Sequence, residues 1–180
     1  MDVQHVIDLL RAHRPVDARE QESIDTFVHI APSLADPANE NADPVHVTAS
    51  AIVVTDAGDK VALHLHKRLN MWLQPGGHIE TGETPADGAL REAAEEIGVP
   101  VRHHADGGLL FHVDVHPGPK GHTHLDLRYL VRAPEVVPQP AEGESKEVGW
   151  FSWDEAVAMA DAGLVGALAA ARALLGKGQG

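Results

Sequence analysis

The sequence predicts an α+β fold in which a mixed β-sheet lies between layers of helices. Three observations predict it: short strand-like segments recur along the chain, one long amphipathic helix lies near its middle, and two helical segments follow the last strand. The chain has 180 residues, of which 43% are hydrophobic and 23% are charged, so it can bury a continuous core. We therefore expect one main globular domain with some additional chain.

Two short helices are predicted before the sheet. Apolar residues recur at helical spacing over residues 3–12 and again over 17–31, where Asp17 can cap the start of the second helix. Residues 36–44 are rich in turn formers and nearly free of apolar side chains, which is typical of a linker. We accordingly divide the chain into a helical N-terminal extension with its linker, residues 1–44, and a main domain, residues 45–180.

The main domain begins with strands and ends with helices. Strands are predicted at residues 45–54, 61–66, 109–116, 123–131 and 147–151, and helices at 85–97, 153–161 and 164–175. The composition of residues 56–59 indicates a hairpin turn between the first two strands. The sequence contains no internal repeat.

The charge and the absence of cysteine exclude several functions. Lys and Arg number 14 against 27 Asp and Glu, and a formal charge of -13 repels nucleic-acid phosphates, so no nucleic-acid partner is expected. The negative charge is still compatible with a phosphorylated small molecule as substrate, because carboxylates can hold divalent cations that invert the local charge. Without cysteine there are no disulfides, thiolate metal sites or thiol nucleophiles.

The chain has no obvious segment for export or for membrane insertion. Its N-terminus lacks the basic and apolar regions of a signal peptide, and the most apolar stretch, residues 164–175, is interrupted by Gly166 and Arg172. We expect a cytoplasmic protein with no membrane partner. A homodimer remains open.

Three carboxylates share one face of the helix predicted at residues 85–97. The apolar stripe of this helix leaves Glu92, Glu95 and Glu96 together on another face. Like charges four residues apart destabilise a helix unless a cation lies between them, and Mg²⁺ prefers oxygen ligands of this kind. The alternative is a solvated acidic face in which Arg91 and Glu95 form an ordinary ion pair.

Residues 77–99 resemble the Nudix box, G-x5-E-x7-R-E-U-x-E-E-x-G-U, in which U is a bulky aliphatic residue. All seven fixed letters match, at Gly77, Glu83, Arg91, Glu92, Glu95, Glu96 and Gly98. Ala93 departs from the pattern with a smaller side chain. Residues 72–76 and 147–151 are also similar to the family, which extends the resemblance over about residues 46–160. It implies a Nudix-like α/β/α sandwich with a mixed β-sheet, preceded here by the short helical extension.

The resemblance implies hydrolysis of a pyrophosphate bond in a nucleoside diphosphate linked to another group, by attack of water with the help of divalent ions. The implied cofactor is Mg²⁺, with Mn²⁺ as a substitute. The implied metal ligands are the Gly76 carbonyl, Glu92, Glu95 and Glu96, and Glu92 is alternatively a base that orients water. The implied catalytic residues are Glu92, Glu96 and Glu144. Support of the site is expected from Gly77, Glu83 and Arg91.

The family often supplies a further carboxylate from the loop before the last strand. Here Glu142, Glu144 and Glu147 are the candidates, and Glu144 has the position relative to Trp150 that the family's triphosphatases use. A solvated loop charge is the alternative for each of them.

The sequence contains 13 histidines, and some of them alternate with acidic residues on two predicted strands. A symmetric hairpin pairs His116 with His122, Asp114 with His124 and His112 with Asp126, with Arg128 on the same face. The other face then carries Phe111, Val113, Val115, Leu125, Leu127 and Tyr129. The polar face is interpreted as a surface for a substrate base or phosphate, as a transition-metal site, or as a solvated face. The substrate-binding candidates are Trp72, His112, His124, Asp126 and Arg128.

The substrate itself is not fixed by the sequence. The family's markers for particular substrates have no clear counterpart in residues 114–117, so a nucleoside or deoxynucleoside triphosphate is the default expectation. The alternatives are a nucleotide sugar, a dinucleotide or a non-nucleotide diphosphate as substrate, or a non-catalytic nucleotide-binding regulatory module. Isomerisation of isopentenyl diphosphate is disfavoured, because that family's chemistry uses a cysteine.

Overall fold

The computed structural model describes residues 1–177 and contains, within them, eight strands in one sheet and five α-helices. The strands are β1 (Val45–Thr55), β2 (Lys60–His66), β3 (Met71–Leu73), β4 (Gly76–His78), β5 (Arg102–His103), β6 (Leu109–Pro117), β7 (Thr123–Ala133) and β8 (Val148–Ser152). The helices are α1 (Val3–Ala12), α2 (Ala18–Ile30), α3 (Pro85–Ile97), α4 (Trp153–Met159) and α5 (Ala162–Lys177).

Strand β1 lies at the centre of the sheet. It runs parallel to β7 along its whole length, from the pair Val45–Thr123 to the pair Thr55–Ala133, and antiparallel to β2 and β4. Strand β2 pairs in turn with β3 and β8, and β7 pairs with β5 and β6. Parallel and antiparallel pairs in one sheet between helices confirm the predicted α+β class.

Two hydrophobic cores lie between the sheet and the helices that pack on it. The first joins α1, α2 and α3 to one face of the sheet through residues such as Leu10, Phe27 and Leu127. The second joins α4 and α5 to the sheet through residues such as Ile52 and Leu168. Within residues 1–177, no helix is long and apolar enough to cross a bilayer.

The two N-terminal helices pack into the first core and cover an edge of the sheet. Strand β6 pairs with β7 on one side only, and on its other side Val113 N donates to Glu20 Oε1 (3.2 Å) and Val115 N donates to Ser23 Oγ (3.0 Å). Helix α2 thus satisfies backbone donors that an edge strand leaves unpaired. The division of the chain at residues 44 and 45 stays a prediction.

Local capping signals place α3 where the sequence predicts it. The Thr84 side chain accepts a hydrogen bond from Asp87 N, and Asp87 caps Thr84 in return. Gly98 ends the helix with a φ of +68°, and a Cβ there would lie 2.0 Å from the Gln139 carbonyl oxygen. The short strands β3, β4 and β5 were not predicted, because two or three residues carry too little periodicity.

The register predicted for the hairpin of β6 and β7 is wrong by two residues. His116 pairs with His124, Asp114 with Asp126 and His112 with Arg128. The difference arises in the loop, where residues 119–121 form a short 3₁₀ turn and the ladder continues to the pair of residues 117 and 123. A shift of two residues leaves the same side chains on the polar face.

The orientation predicted for Phe111 is also wrong. A β-bulge interrupts the ladder between Leu110 and His112, so that Phe111 packs with Leu130 in the second core while Val113 packs in the first. Because the bulge adds one residue to β6, it interrupts the alternation of side chains. Phe111 therefore lies on the face opposite to that of Val113.

Candidate active site

Two glycines of β4 allow close contact between this strand, β1 and α3. Gly76 pairs with Ser50 and Gly77 pairs with Ala49. A Cβ at Gly76 would lie 2.3 Å from Ser50 Cβ, and one at Gly77 would lie 2.6 Å from Glu92 Oε1. Gly76 therefore requires glycine, because a side chain would displace the neighbouring strand, whereas a side chain at Gly77 would push the Glu92 carboxylate out of its place.

The carboxylates of α3 lie beside this strand without enough positive charge to balance them. Gly76 N donates a hydrogen bond to Glu96 Oε2 (2.8 Å), which holds Glu96 against β4. Burial raises the pKa of Glu96 to about 8, and the charges of Glu92, Glu144 and Glu95 add to the effect. Burial also raises the pKa of Glu92, although Arg91 opposes it. The site thus concentrates negative charge in a partly dry environment.

Arg91 joins α3 to the preceding loop. Its Nε donates to Glu83 Oε1 (2.8 Å), its Nη2 to the His78 carbonyl (2.8 Å), and its Nη1 to Glu92 Oε1 (2.9 Å). Glu83 in turn accepts a hydrogen bond from Glu80 N (2.9 Å). These bonds fix the loop against the helix, which is the arrangement that a supporting role for Glu83 and Arg91 requires.

The loop before β8 brings one further carboxylate to the site. Its backbone is fastened to the end of α3, where Gln139 N donates to the Gly98 carbonyl (3.1 Å) and Ala141 N donates to the Glu95 carbonyl (2.9 Å). Of the three loop candidates, Glu144 is the one whose charge raises the pKa of both Glu92 and Glu96. Glu144 therefore lies close enough to these two carboxylates for its charge to act on them.

Strand β2 adds a histidine that sequence reasoning missed. His64 Nδ1 lies 3.7 Å from Glu96 Oε1, and burial lowers the pKa of His64 to about 4, so the ring is neutral at neutral pH. His66 follows two residues later. Burial lowers its pKa, and the negative charge of Glu144 opposes that effect. The alternation of His64 and His66 on a predicted strand was the available signal.

The predicted substrate-binding residues divide into three places. Trp72 lies on β3, half-buried, with its ring edge-on to Phe151 at a centroid distance of 4.9 Å. His124 lies at the start of β7 among other histidines. His112, Asp126 and Arg128 lie on the sheet face that α5 covers, each only 3% exposed.

The residues under α5 bond mainly to one another. Arg128 donates from Nε to Asp126 (3.0 Å), from Nη2 to Asp114 (3.1 Å) and from Nη1 to the Gly163 carbonyl (2.6 Å). Thr48 and Ser50 donate to Asp126 as well. This face is therefore not solvated, and its role toward a substrate stays a prediction.

A cleft of about 1260 Å³ lies next to the box, between α1, the linker and residues 78–86. Glu83 and Tyr129 are among its lining residues, whereas Glu92, Glu95, Glu96 and Glu144 are not. The reacting phosphate is therefore expected on the carboxylate face of α3 and not in this cleft.

Comparison with known proteins identifies the family. The family model described as NUDIX domain matches residues 44–170. The chain belongs to the Nudix family. A Nudix hydrolase of known structure from Clostridium perfringens is similar, with a TM-score of 0.60 and 31% identity over 72% of this chain and 97% of that chain. The predicted family and fold are confirmed.

Two named Nudix relatives are pyrophosphate-cleaving or triphosphate-cleaving enzymes. The "Probable DHNTP pyrophosphohydrolase" of Lactococcus lactis is 30% identical over 135 residues, which is 71% of this chain and 78% of the relative. The "Oxidized purine nucleoside triphosphate hydrolase" of Danio rerio is 32% identical over 108 residues, 58% of this chain and 65% of the relative. The prediction of a Nudix-type hydrolase is thereby confirmed.

Proposed function

We propose that this Nudix hydrolase cleaves a pyrophosphate bond in a nucleoside triphosphate or a closely related triphosphate, with Mg²⁺ as its cofactor and Mn²⁺ as a substitute. The observation that carries the proposal is the cluster of Glu92, Glu95, Glu96 and Glu144 around Gly76, in which carboxylates, two of them partly buried, outnumber their cationic partners. Both named relatives act on triphosphates according to their names, which favours this class over nucleotide sugars.

The residues present fit a hard divalent cation. The proposed ligands are the Gly76 carbonyl and the carboxylates of Glu92, Glu95 and Glu96, an all-oxygen set of the kind that Mg²⁺ prefers. Because crowding and burial raise the pKa values of Glu92 and Glu96, a bound cation would relieve the repulsion that the chain alone does not balance. When bound, the cation would polarise phosphate oxygens and acidify the attacking water.

We assign the remaining tasks to residues according to their contacts. Glu92 accepts a hydrogen bond from Arg91, which fixes the orientation of its carboxylate, as a metal ligand requires. Glu144 approaches from the opposite loop, and we propose that it accepts the proton of the attacking water. Gly76 N–H orients Glu96, and Arg91 and Glu83 keep the loop in register with the helix.

The test is a hydrolysis screen with the full chain. DHNTP, oxidised and ordinary purine nucleoside triphosphates, nucleotide sugars and dinucleotides are each incubated with Mg²⁺, with Mn²⁺ and with excess chelator, and pyrophosphate and phosphate are measured separately. We expect pyrophosphate release from a triphosphate that stops in chelator. Preferred cleavage of nucleotide sugars would overturn the substrate class, and nucleotide binding without any turnover would identify a regulatory module.

A further inference from the structure

Five histidines meet where strands β1 and β7 begin. They are His46, His78, His116, His122 and His124. The parallel pairing of the two strands places His46 directly beside His124, and the pairing of β4 with β1 brings His78 to the same place. The ring centroids of His46 lie 5.2 Å from His78 and 5.0 Å from His124. None of the tasks proposed above uses these histidines.

His46 lacks the partners that a buried polar ring needs. It is fully buried, and neither Nδ1 nor Nε2 has a hydrogen-bond partner. A buried polar atom without a partner costs about 1–3 kcal/mol, so the His46 ring needs a partner that the chain does not provide, such as water or an ion. Burial and neighbouring imidazoles lower the pKa values of His46 and His124, which leaves lone pairs free to bind a metal at neutral pH.

We propose that His46, His78 and His124 bind a divalent transition-metal ion, with Zn²⁺ as the best match, at a site separate from the carboxylates of α3. One ring nitrogen from each histidine lies within 4.8 Å of the other two. Tetrahedral zinc ligands lie about 3.4 Å apart, as bond lengths near 2.1 Å dictate. The rings must therefore move closer together on binding, and His78, the exposed member, has room to rotate.

The chemistry of the donors separates this site from the carboxylate site. Imidazole nitrogens favour Zn²⁺, Cu²⁺ and Ni²⁺, whereas carboxylate and carbonyl oxygens favour Mg²⁺. Glu40 Oε2 lies 3.6 Å from His78 Nε2, so one carboxylate stands next to the histidine cluster, as is common around metal-bound histidines. The ion would thus tie the linker, β1, β4 and β7 together at one point.

The experiment is a Zn²⁺ titration of the full chain in a large excess of Mg²⁺. Zn²⁺ affinity is measured by competition with a chromophoric chelator, and Co²⁺ provides a visible spectrum that reports tetrahedral coordination. We expect one tight equivalent and a rise in Tm. His78→Ala and His124→Gln should each weaken binding at least about 100-fold, more than the loss of an outer-shell partner causes. Circular dichroism establishes that both variants are folded.

Two further variants act as controls. His29→Ala removes an exposed histidine on α2, and Glu96→Gln alters the carboxylate site, so neither should change the affinity for Zn²⁺. The proposal is overturned if the wild-type chain has no tight site, if the site survives in both His78→Ala and His124→Gln, or if His29→Ala or Glu96→Gln weakens it as much as they do.

Discussion

Glu96 of α3 and the carboxylates beneath α5 are both shielded from water, the latter more deeply, and their pKa values shift in opposite directions. At Glu96 burial dominates and raises the pKa. At Asp126 burial acts in the same direction, but the charges of Arg128 and His116 and the hydrogen bonds from Ser50 and Arg128 together outweigh it and lower the pKa. The pKa of Asp114 is lowered as well, because the hydrogen bond with His116 and the charges of Arg128, His116 and Arg19 together outweigh burial.

The difference lies in the cationic partners, because the carboxylates under α5 are the more deeply buried and yet have lowered pKa values. The network under α5 contains its own guanidinium, so the chain alone satisfies it. The cluster on α3 has Arg91 at one side and leaves Glu96 to a backbone N–H. A protein retains buried charge without a partner when something outside the chain supplies one, which is the physical basis for placing the cation at α3.

The largest effect is expected from Glu96→Gln. The substitution keeps the shape and the acceptor for Gly76 N but removes the ligand charge, so kcat should fall by about 1000-fold or more. Tm should stay equal or rise, because burial no longer opposes a charge at this position. Steady-state kinetics and thermal unfolding measure both, with exposed Glu22→Gln as the control. Turnover near that of the wild type would remove Glu96 from the proposed metal site.

Arg128→Met should act on stability instead. It leaves Asp126 buried without its cation and leaves Asp114 with Arg19 alone, which costs about 3–5 kcal/mol in comparable cases. Urea unfolding measures the loss, and adding Asp114→Asn and Asp126→Asn to the same chain should recover part of it. A loss below about 1 kcal/mol would contradict the structural role.

The same variant also tests the predicted substrate contact of Arg128. Leu127→Ala lies on the opposite face of β7 in the first core and should cost about 2–5 kcal/mol through a cavity. If Arg128→Met raises KM and the equally destabilised Leu127→Ala does not, Arg128 contacts the substrate. If both leave KM unchanged, the network is structural.

Glu144→Gln should lower kcat by about 100-fold and leave KM nearly unchanged, as expected for a general base. Glu142→Gln, in the same loop, is the matched control and should behave like the wild type. Stopped turnover in Glu92→Gln together with full turnover in Glu144→Gln would instead place the base on the helix.

The smallest effect concerns acid stability. Burial and the charge of Arg128 lower the pKa of His112 from its ordinary 6.5 to about 4. Between these values the unfolded chain binds a proton that the folded chain does not, so stability falls as the pH falls from 6.5 towards 4. His112→Gln should flatten the slope by about 1 kcal/mol per pH unit, measured by urea unfolding at pH 6.5, 5.5 and 4.5. The control His29→Gln should leave the slope of the unfolding free energy against pH as it is. An unchanged slope in His112→Gln would assign the proton to another group.

Much of α3 and its loop was predictable, because the signals are local. Thr84 and Gly98 mark the ends of the helix by capping chemistry, and the seven letters of the box lie within 23 consecutive residues. The proximity of Glu144 to this helix followed from the family pattern alone, since the loop closes on α3 through backbone bonds that no side-chain pattern encodes.

The network under α5 and the histidine cluster were not predictable in this way. Thr48 and Asp126 are 78 residues apart and meet only because β1 and β7 pair in parallel. Alternation placed the right residues on the polar face of β6 and β7, but the conformation of five loop residues set the register, and the bulge at Phe111 followed from tertiary packing.

The contact between α2 and β6 also bears on pairing between chains, because it occupies the backbone amides of an edge strand. A shortened chain that began at Pro44 would leave the amides of Val113 and Val115 without acceptors and open a nine-residue strand to any extended segment nearby. It would also uncover the core side chains that Leu10 and Phe27 seal. The first helices thus cover a strand edge of the kind that pairs with other chains when it is left open.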